Sequence, residues 1–390
     1  MKPLALARLP NIPKKKSFFL FGPRGSGKST LLQAVFQSKK PPPILFDLLD
    51  IELVDELSLH PKRFLERIGD AGSESVVIID EVQKLPQLLD YVHSLIEKRH
   101  IQFVLTGSSA RRLKQRGTNL LAGRALVREL YPLSTLEIGD RFDIRKALER
   151  GGLPEAYLAE TDEEAADYLR AYTLTYLEKE IQQEQWVRKL DPFRRFLQIA
   201  AQMNGKIINR SAIARDIGVD DMTVQSYFEI LEDTYIGFQL PPFERSLRKQ
   251  IRQAPKFYLI DPGLKRGLER TTAVPLLPQT SAFGDAFEHW VVLEFLKLAS
   301  YRANDWKLHY LQTISGSEID LVITRPGKPL LAIEIKSKSK VTEEDAKTLN
   351  FLARDLEESA EKWLLSQDPL KQNFDGTIAM HWREALNQID

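Results

Sequence analysis

Three groups of residues have the types and the spacing to do chemistry. Gly22-Pro23-Arg24-Gly25-Ser26-Gly27-Lys28-Ser29 fits G-x-x-x-x-G-K-[ST] and runs on into Thr30. That spacing predicts a phosphate-binding loop: the glycines let backbone N–H groups curl around a β-phosphate, and the following helix adds the positive end of its dipole. Lys28 would reach the β- and γ-phosphates, and the Ser29 hydroxyl would sit on Mg²⁺. The second group is Asp80-Glu81, at the end of Val76-Val77-Ile78-Ile79. Asp80 would hold Mg²⁺ through water and Glu81 would polarise the attacking water, since a second carboxylate has no packing role at the end of a core strand. The third is Glu288, Asp320, Glu334 and Lys336. Glu288 shares a helical face with Val291, Val292 and Phe295, and a carboxylate in an apolar stripe needs a partner or a metal. Asp320 and Glu334 could clamp Mg²⁺ in a hard-oxygen site, with Glu288 completing its outer shell and Lys336 orienting a water or steadying the pentacovalent charge.

The elements that must position these residues follow from periodicity. Ser17–Phe21 reads as a buried strand feeding the glycine-rich loop, and Leu31–Phe36 as the helix that leaves it. Ile44–Leu48, Ser75–Glu81, Gln102–Ser109 and Leu126–Leu130 read as further strands, with helices at Pro61–Ile68 and Tyr91–Arg99. Strand and helix in alternation predict a parallel, doubly wound sheet with ligands at the carboxyl ends of its strands. Asp162–Arg188 reads as one long amphipathic helix, a candidate subunit or interdomain contact. Pro192–Met203, Ser211–Ile217 and Met222–Asp233 suggest three helices of a winged-helix module. The third carries no Lys or Arg on its exposed face, so it is a poor reader of the major groove. Positive charge follows it in Arg245, Arg248, Lys249, Arg252 and Lys256, where a wing could ride on DNA backbone. Further on, Phe283–Ala299 and Thr342–Leu356 read as helices. Glu318–Ile323, Leu331–Lys336 and Lys362–Leu365 read as strands, and Trp382–Ile389 as a closing helix. Asp320 lies opposite the apolar face of its strand, and Glu334 and Lys336 do the same on theirs.

Composition limits the alternatives. At 390 residues the chain has room for two or three cores. A net charge of +1 gives no global field for nucleic acid, so any such site must be a local patch. With no cysteine, disulfides, thiolate zinc sites and a cysteine nucleophile are excluded, and none of the six histidines is paired at metal-ligand spacing. No run approaches a membrane span and no signal peptide is evident, so a cytoplasmic setting is expected.

Phe21-Gly22-Pro23-Arg24, Asp80-Glu81-Val82-Gln83-Lys84-Leu85-Pro86, Thr106-Gly107-Ser108-Ser109 and Leu121-Ala122-Gly123-Arg124 occur in this order. With them the chain resembles the bacterial and archaeal AAA+ ATPases that carry a C-terminal nuclease-like domain. The resemblance implies ATP and Mg²⁺ as ligands and a nucleotide site shared between subunits of a homo-oligomer, often six in AAA+ relatives. It implies a γ-phosphate sensor at Thr106 or Ser108, and an arginine finger for which Arg124 is the first candidate and Arg111 the second. Asp320, then Glu334-Ile335-Lys336 fourteen residues on, resembles the PD-(D/E)XK nuclease layout, and with Glu288 it is similar to archaeal Holliday-junction resolvases.

The expected fold is therefore α/β. An AAA+ domain with a parallel sheet spans residues 1–135 and a helical linker or lid 136–190. A winged-helix-like domain spans 191–262, and a C-terminal α/β PD-(D/E)XK nuclease-like domain 263–390. The expected function is an ATP-dependent motor that handles DNA, branched DNA included, with a metal-dependent endonuclease-like domain. The alternative is an ATP-switched signalling or defence scaffold whose nuclease-like domain only docks a partner.

Overall fold

Residues 6–109, 121, 123–176, 190–244, 253–302, 305–353, 356 and 359–389 are described by a computed structural model. The chain divides into one unit of Met1–Leu133 with Asp233–Tyr235 and a second of Ser134–Glu232 with Ile236–Asp390.

In the first unit the strands are β1 (Ser17–Phe21), β2 (Ile44–Asp47), β3 (Val76–Asp80), β4 (Gln102–Gly107) and β5 (Ala125–Glu129). They pair in the order β2-β3-β4-β1-β5, parallel throughout. Both faces are covered, which is why β1 is a continuous apolar run rather than an alternating one. Phe18 and Leu20 pack with Leu31, Leu32 and Phe36 of the helix Lys28–Phe36. Phe19 and Phe21 pack on the other side with Leu88, Leu89, Val92 and Leu95 of the helix Leu88–Arg99. Each such side chain contributes about 1.5–3 kcal/mol by leaving water, so the strand carrying the loop is fixed from both sides. Phe21 pairs with Gly107 and Glu129, and Ile79 with Leu105. The carboxyl ends of β1, β3 and β4 therefore lie side by side.

The second unit holds two sheets. The smaller is antiparallel, β6 (Lys206–Ile207), β8 (Lys256–Leu259) and β7 (Gly237–Leu240) in that order, beside the helices Leu190–Gln202, Arg210–Ile217 and Asp221–Asp233. The larger contains β9 (Lys307–Gln312), β10 (Glu318–Thr324), β11 (Leu331–Ile335), β12 (Glu361–Ser366), β13 (Gln372–Phe374) and β14 (Thr377–His381). Its order is β13-β14-β12-β11-β10-β9: antiparallel from β9 to β11, then parallel through β12 and β14. The turns at Gly151 and Asp261 are joined, because Asp261 accepts from Gly152 N at 2.6 Å, Leu153 N at 3.1 Å and Leu264 N at 3.0 Å.

The long helix expected over 162–188 is corrected in its described part. An α-helix spans Asp162–Ala171 and passes into a π-helical turn over Tyr172–Tyr176. The Thr173 hydroxyl donates back to Leu169 O at 3.0 Å and Arg170 O at 3.2 Å, competing with the backbone ladder where the helix widens. Residues 177–189 lie outside the described ones. Among the described residues no helix is long and apolar enough to cross a membrane.

Candidate nucleotide site and carboxylate cluster

β1 delivers the chain to Gly22 (φ +154), where a Cβ would lie 2.1 Å from Leu130 O, so glycine alone fits. Gly27 (φ 93) then turns the loop into the helix Lys28–Phe36. Lys28 is buried, and its Nζ donates to Gly22 O at 2.8 Å and Pro23 O at 3.1 Å, within the curl of the loop. Ser26 Oγ is buried there with no hydrogen-bond partner, an orphaned group that fits a phosphate oxygen. Arg24 is half-buried, and Gly25, Ser29 and Thr30 are exposed at the mouth. Arg8, which sequence reasoning passed over, braces the loop from behind by donating to Ser26 O at 2.6 Å and Tyr131 O at 2.5 Å.

The next strands supply the acids. Ser29 Oγ donates to Asp80 Oδ2 at 3.1 Å, and the Thr106 hydroxyl donates to Asp80 Oδ1. Thr106 Oγ1 also accepts from Glu81 N at 3.3 Å. Of the two residues expected to sense the γ-phosphate, Thr106 thus holds the Asp80-Glu81 corner through its hydroxyl, and Ser108 reaches Glu81. Glu81 is buried with φ 57, a left-handed geometry unusual outside glycine. Its Oε2 accepts from Gln83 Nε2 and, at 3.3 Å, from Ser108 Oγ. Gly107 leaves room for that amide, since a Cβ there would meet Gln83 Oε1 at 2.4 Å. Gln83 was missed as a site residue, although it stands two positions from Glu81 in the same turn. The arrangement can hold a divalent cation between Ser29 and Asp80, with Glu81 kept beside it for a water.

Arg124 precedes β5, whose first residue, Ala125, pairs with Ser17 at the start of β1. It thus stands at the amino edge of the sheet, about 13 Å of strand away from the loop at the carboxyl edge. There it is ion-paired to Glu97 at the end of the helix Leu88–Arg99. Arg111 lies outside the described residues.

In the second unit, Leu321 pairs with Ile333 in an antiparallel register, which sets Asp320 opposite Glu334. Both are buried, at 6% exposure each. Asp320 Oδ2 accepts from Ile335 N at 2.7 Å, and Glu334 Oε1 accepts from Lys336 Nζ at 2.5 Å. Glu288 Oε1 accepts from the Tyr258 hydroxyl at 2.9 Å. Lys256 Nζ is 3.1 Å from Glu318 Oε1. Burial, and then the charge of Asp320, push both Glu288 and Glu334 up to about 8. Burial also pushes Asp320 up.

Two expectations change here. Lys256, expected in the basic wing, is 2% exposed and faces acids; Arg245, Arg248, Lys249 and Arg252 lie outside the described residues. Among the described residues no group of three or more His, Cys, Asp or Glu is placed to hold a metal, so Glu288 does not join Asp320 and Glu334 as a direct ligand. The Tyr258 hydroxyl engages Glu288 Oε1, and Lys336 takes one oxygen of Glu334. Asp320 and Glu334 alone still fit a hard cation. Glu334 Oε2 is buried with no hydrogen-bond partner, and Mg²⁺ is commonly held through one or two carboxylates with waters completing its shell. Sequence reasoning missed Glu318, Tyr258 and the placement of Lys256, although period two puts Glu318 with Asp320 and Lys256 with Tyr258.

Residues 14–139 match the profile of an AAA domain, residues 141–274 a domain of unknown function (DUF8612), and residues 283–384 another (DUF4143). The first unit is thus a P-loop ATPase domain of the AAA type. An uncharacterised protein of Mycobacterium tuberculosis, Rv2008c, is 29% identical over 326 residues, 82% of this chain and 70% of its own length. MJ1637 of Methanocaldococcus jannaschii, likewise uncharacterised, is 23% identical over 407 residues, 92% of this chain and 82% of its own. Among solved structures, the Aeropyrum pernix ORC1 protein in complex with DNA is 14% identical, covering 67% of this chain and 87% of that one, with a TM-score of 0.27. The replication initiator DnaA bound to AMPPCP and single-stranded DNA is 18% identical, covering 56% and 82%, also at 0.27. At that TM-score neither likeness bears on what this chain binds.

Proposed function

We propose that this chain hydrolyses Mg²⁺-ATP in a self-assembled oligomer, possessing a DNA-processing site of the PD-(D/E)XK nuclease type in its second unit. Residues 1–135 would drive, 136–190 link, 191–262 contact DNA as a winged-helix-like domain, and 263–390 cut. Branched DNA, such as a Holliday junction to be migrated and cleaved, is the substrate class this reading favours. One observation carries the nuclease half: Asp320 stands across the β10–β11 ladder from Glu334, with Lys336 two residues on. In the first unit, Lys28 and the loop N–H groups would bind the phosphates, Ser29 and Asp80 would hold Mg²⁺, and Glu81 would orient the attacking water. Arg124, facing away from its own loop, is placed to serve a neighbouring subunit's nucleotide. In the second unit, Asp320 and Glu334 would hold the metal, which when bound activates water and offsets charge on a phosphodiester oxygen. Lys336 would steady the same charge, while Glu288 acts from behind through Tyr258.

The test compares wild type, Lys28→Ala and Asp320→Ala on fluorescent linear, single-stranded and four-way DNA with Mg²⁺, with and without ATP. Lys28→Ala should lose ATP-driven strand separation, and Asp320→Ala should lose cutting alone. A wild type that neither moves nor cuts any of them removes the proposal. A second reading, an ATP-switched scaffold, then takes its place. It draws support from Lys256 and Lys336, which already neutralise acids of the cluster, and from the helix Asp221–Asp233, which has no basic residue. A scaffold should bind DNA weakly and without a steep salt slope.

A further inference from the structure

β8 turns Lys256 and Tyr258 to one side, and both end in the carboxylate cluster of the larger sheet. Lys256 Nζ is 3.1 Å from Glu318 Oε1 and lies 5.4 Å from the Tyr310 ring centroid. Glu288 and Asp320 also lie near enough to act on its charge. The smaller sheet is tied to the larger at the same place. Phe243 N donates to Tyr310 O at 2.6 Å, Tyr310 N to Pro241 O at 3.0 Å, and the Tyr310 hydroxyl to Ala254 O at 2.6 Å. A buried ammonium is costly unless acids surround it, and buried acids are costly unless a cation is among them. Meanwhile Glu334 Oε2, buried in the same cluster, has no hydrogen-bond partner.

From this geometry we propose that Lys256 is, beside Lys336, a resident cation of the cluster and competes with a divalent metal for its carboxylates. Metal entry and the grip of the smaller sheet on β9 and β10 then oppose each other. The inference rests on the reading of Asp320 and Glu334 as metal ligands. A fixed positive charge beside a divalent cation weakens its binding, and by linkage the metal weakens the lysine's hold by the same factor.

The experiment is a calorimetric titration of the full chain with Mn²⁺, without nucleotide, for wild type, Lys256→Met and Asp320→Asn. The heat that Asp320→Asn removes belongs to the cluster. Lys256→Met should tighten that event about tenfold, a size ordinary for coupled sites. Should Lys256→Met fail to fold, wild type alone decides. Acetylation of Lys256, read by mass spectrometry, should be slow in EDTA and rise several-fold in saturating Mn²⁺. Asp320-dependent binding that Lys256→Met leaves unchanged or weakens, or acetylation that Mn²⁺ does not raise, overturns the competition and spares the metal site. No Asp320-dependent binding in wild type or Lys256→Met overturns both.

Discussion

The Ser29 hydroxyl donates to Asp80 Oδ2 at 3.1 Å, joining residues 51 positions apart, while Thr106 holds the other carboxylate oxygen. Ser29 and Asp80 would hold a divalent cation that offsets phosphate charge, whereas the loop and Lys28 would hold the phosphates themselves. Asp80→Ala should therefore cut ATP hydrolysis by about 10²–10³-fold and weaken nucleotide binding by no more than about tenfold. Fluorescent-nucleotide titration beside phosphate release separates the two. Full hydrolysis by Asp80→Ala would remove the residue from the metal role.

Glu81 is set by two neighbours, the Gln83 amide and the Ser108 hydroxyl, both on its Oε2. Glu81→Gln keeps the shape and loses the base, so kcat should fall about 10²–10⁴-fold with KM nearly unchanged. Gln83→Ala frees the carboxylate without removing it, and should lower kcat roughly tenfold, with Gln83→Asn giving partial rescue. Steady-state kinetics on the three variants checks the ranking. Equal KM increases in all of them would instead mark a loop that has lost its fold.

The loop and the Asp80-Glu81 corner were legible in sequence because each is contiguous, on a strand that ends in a turn. What those residues touch was not legible. Thr106 reads as a phosphate sensor, and only the pairing of β3 with β4 shows that it also holds Asp80. Lys256 sits in a basic run, and a charge run reads as solvated; only the docking of β8 shows it buried among acids. Alternation sets Asp320 and Glu334 each opposite the apolar residues of its own strand, and only the register sets them across from one another. Short edge strands such as Gln372–Phe374 lack enough periodicity to be read. The π-helical turn at Tyr172–Tyr176 breaks a pattern whose apolar spacing runs on regardless.

Arg124 is on the amino edge of the sheet, bound to Glu97, while the loop of the same chain is on the carboxyl edge. If it serves a neighbouring subunit's nucleotide as proposed, its effect should appear only in trans. Arg124→Ala and Lys28→Ala should each lower ATPase activity, the former by about 10-fold or more. Mixing the two inactive variants should restore part of it, because some interfaces then pair an intact loop with an intact arginine. A strictly additive loss on mixing would mean that Arg124 only steadies the helix through Glu97.

The carboxylate cluster should make stability fall as pH rises when no divalent metal is present. Glu288 and Glu334 are pushed up to about 8 from the ordinary 4.5, burial first and Asp320 second. Between those values the folded chain holds protons that the unfolded chain has released. The contribution is full below 4.5 and is lost as pH climbs through 8. His289 slopes the other way: burial pushes it down to about 3 from 6.5, so its contribution is full above 6.5 and is lost only as pH drops toward 3. Above pH 6.5 the histidine term is flat and the carboxylates set the slope. In EDTA the Tm should fall by roughly 5 °C between pH 6.5 and 8.5, and Glu334→Gln, which cannot ionise, should halve that fall. Saturating Mn²⁺ should flatten it as well, since a bound cation keeps Asp320 and Glu334 ionised across the range. Calorimetric melts of wild type and Glu334→Gln at a series of pH values decide it, and an unchanged slope in the variant would take Glu334 out of the titrating cluster.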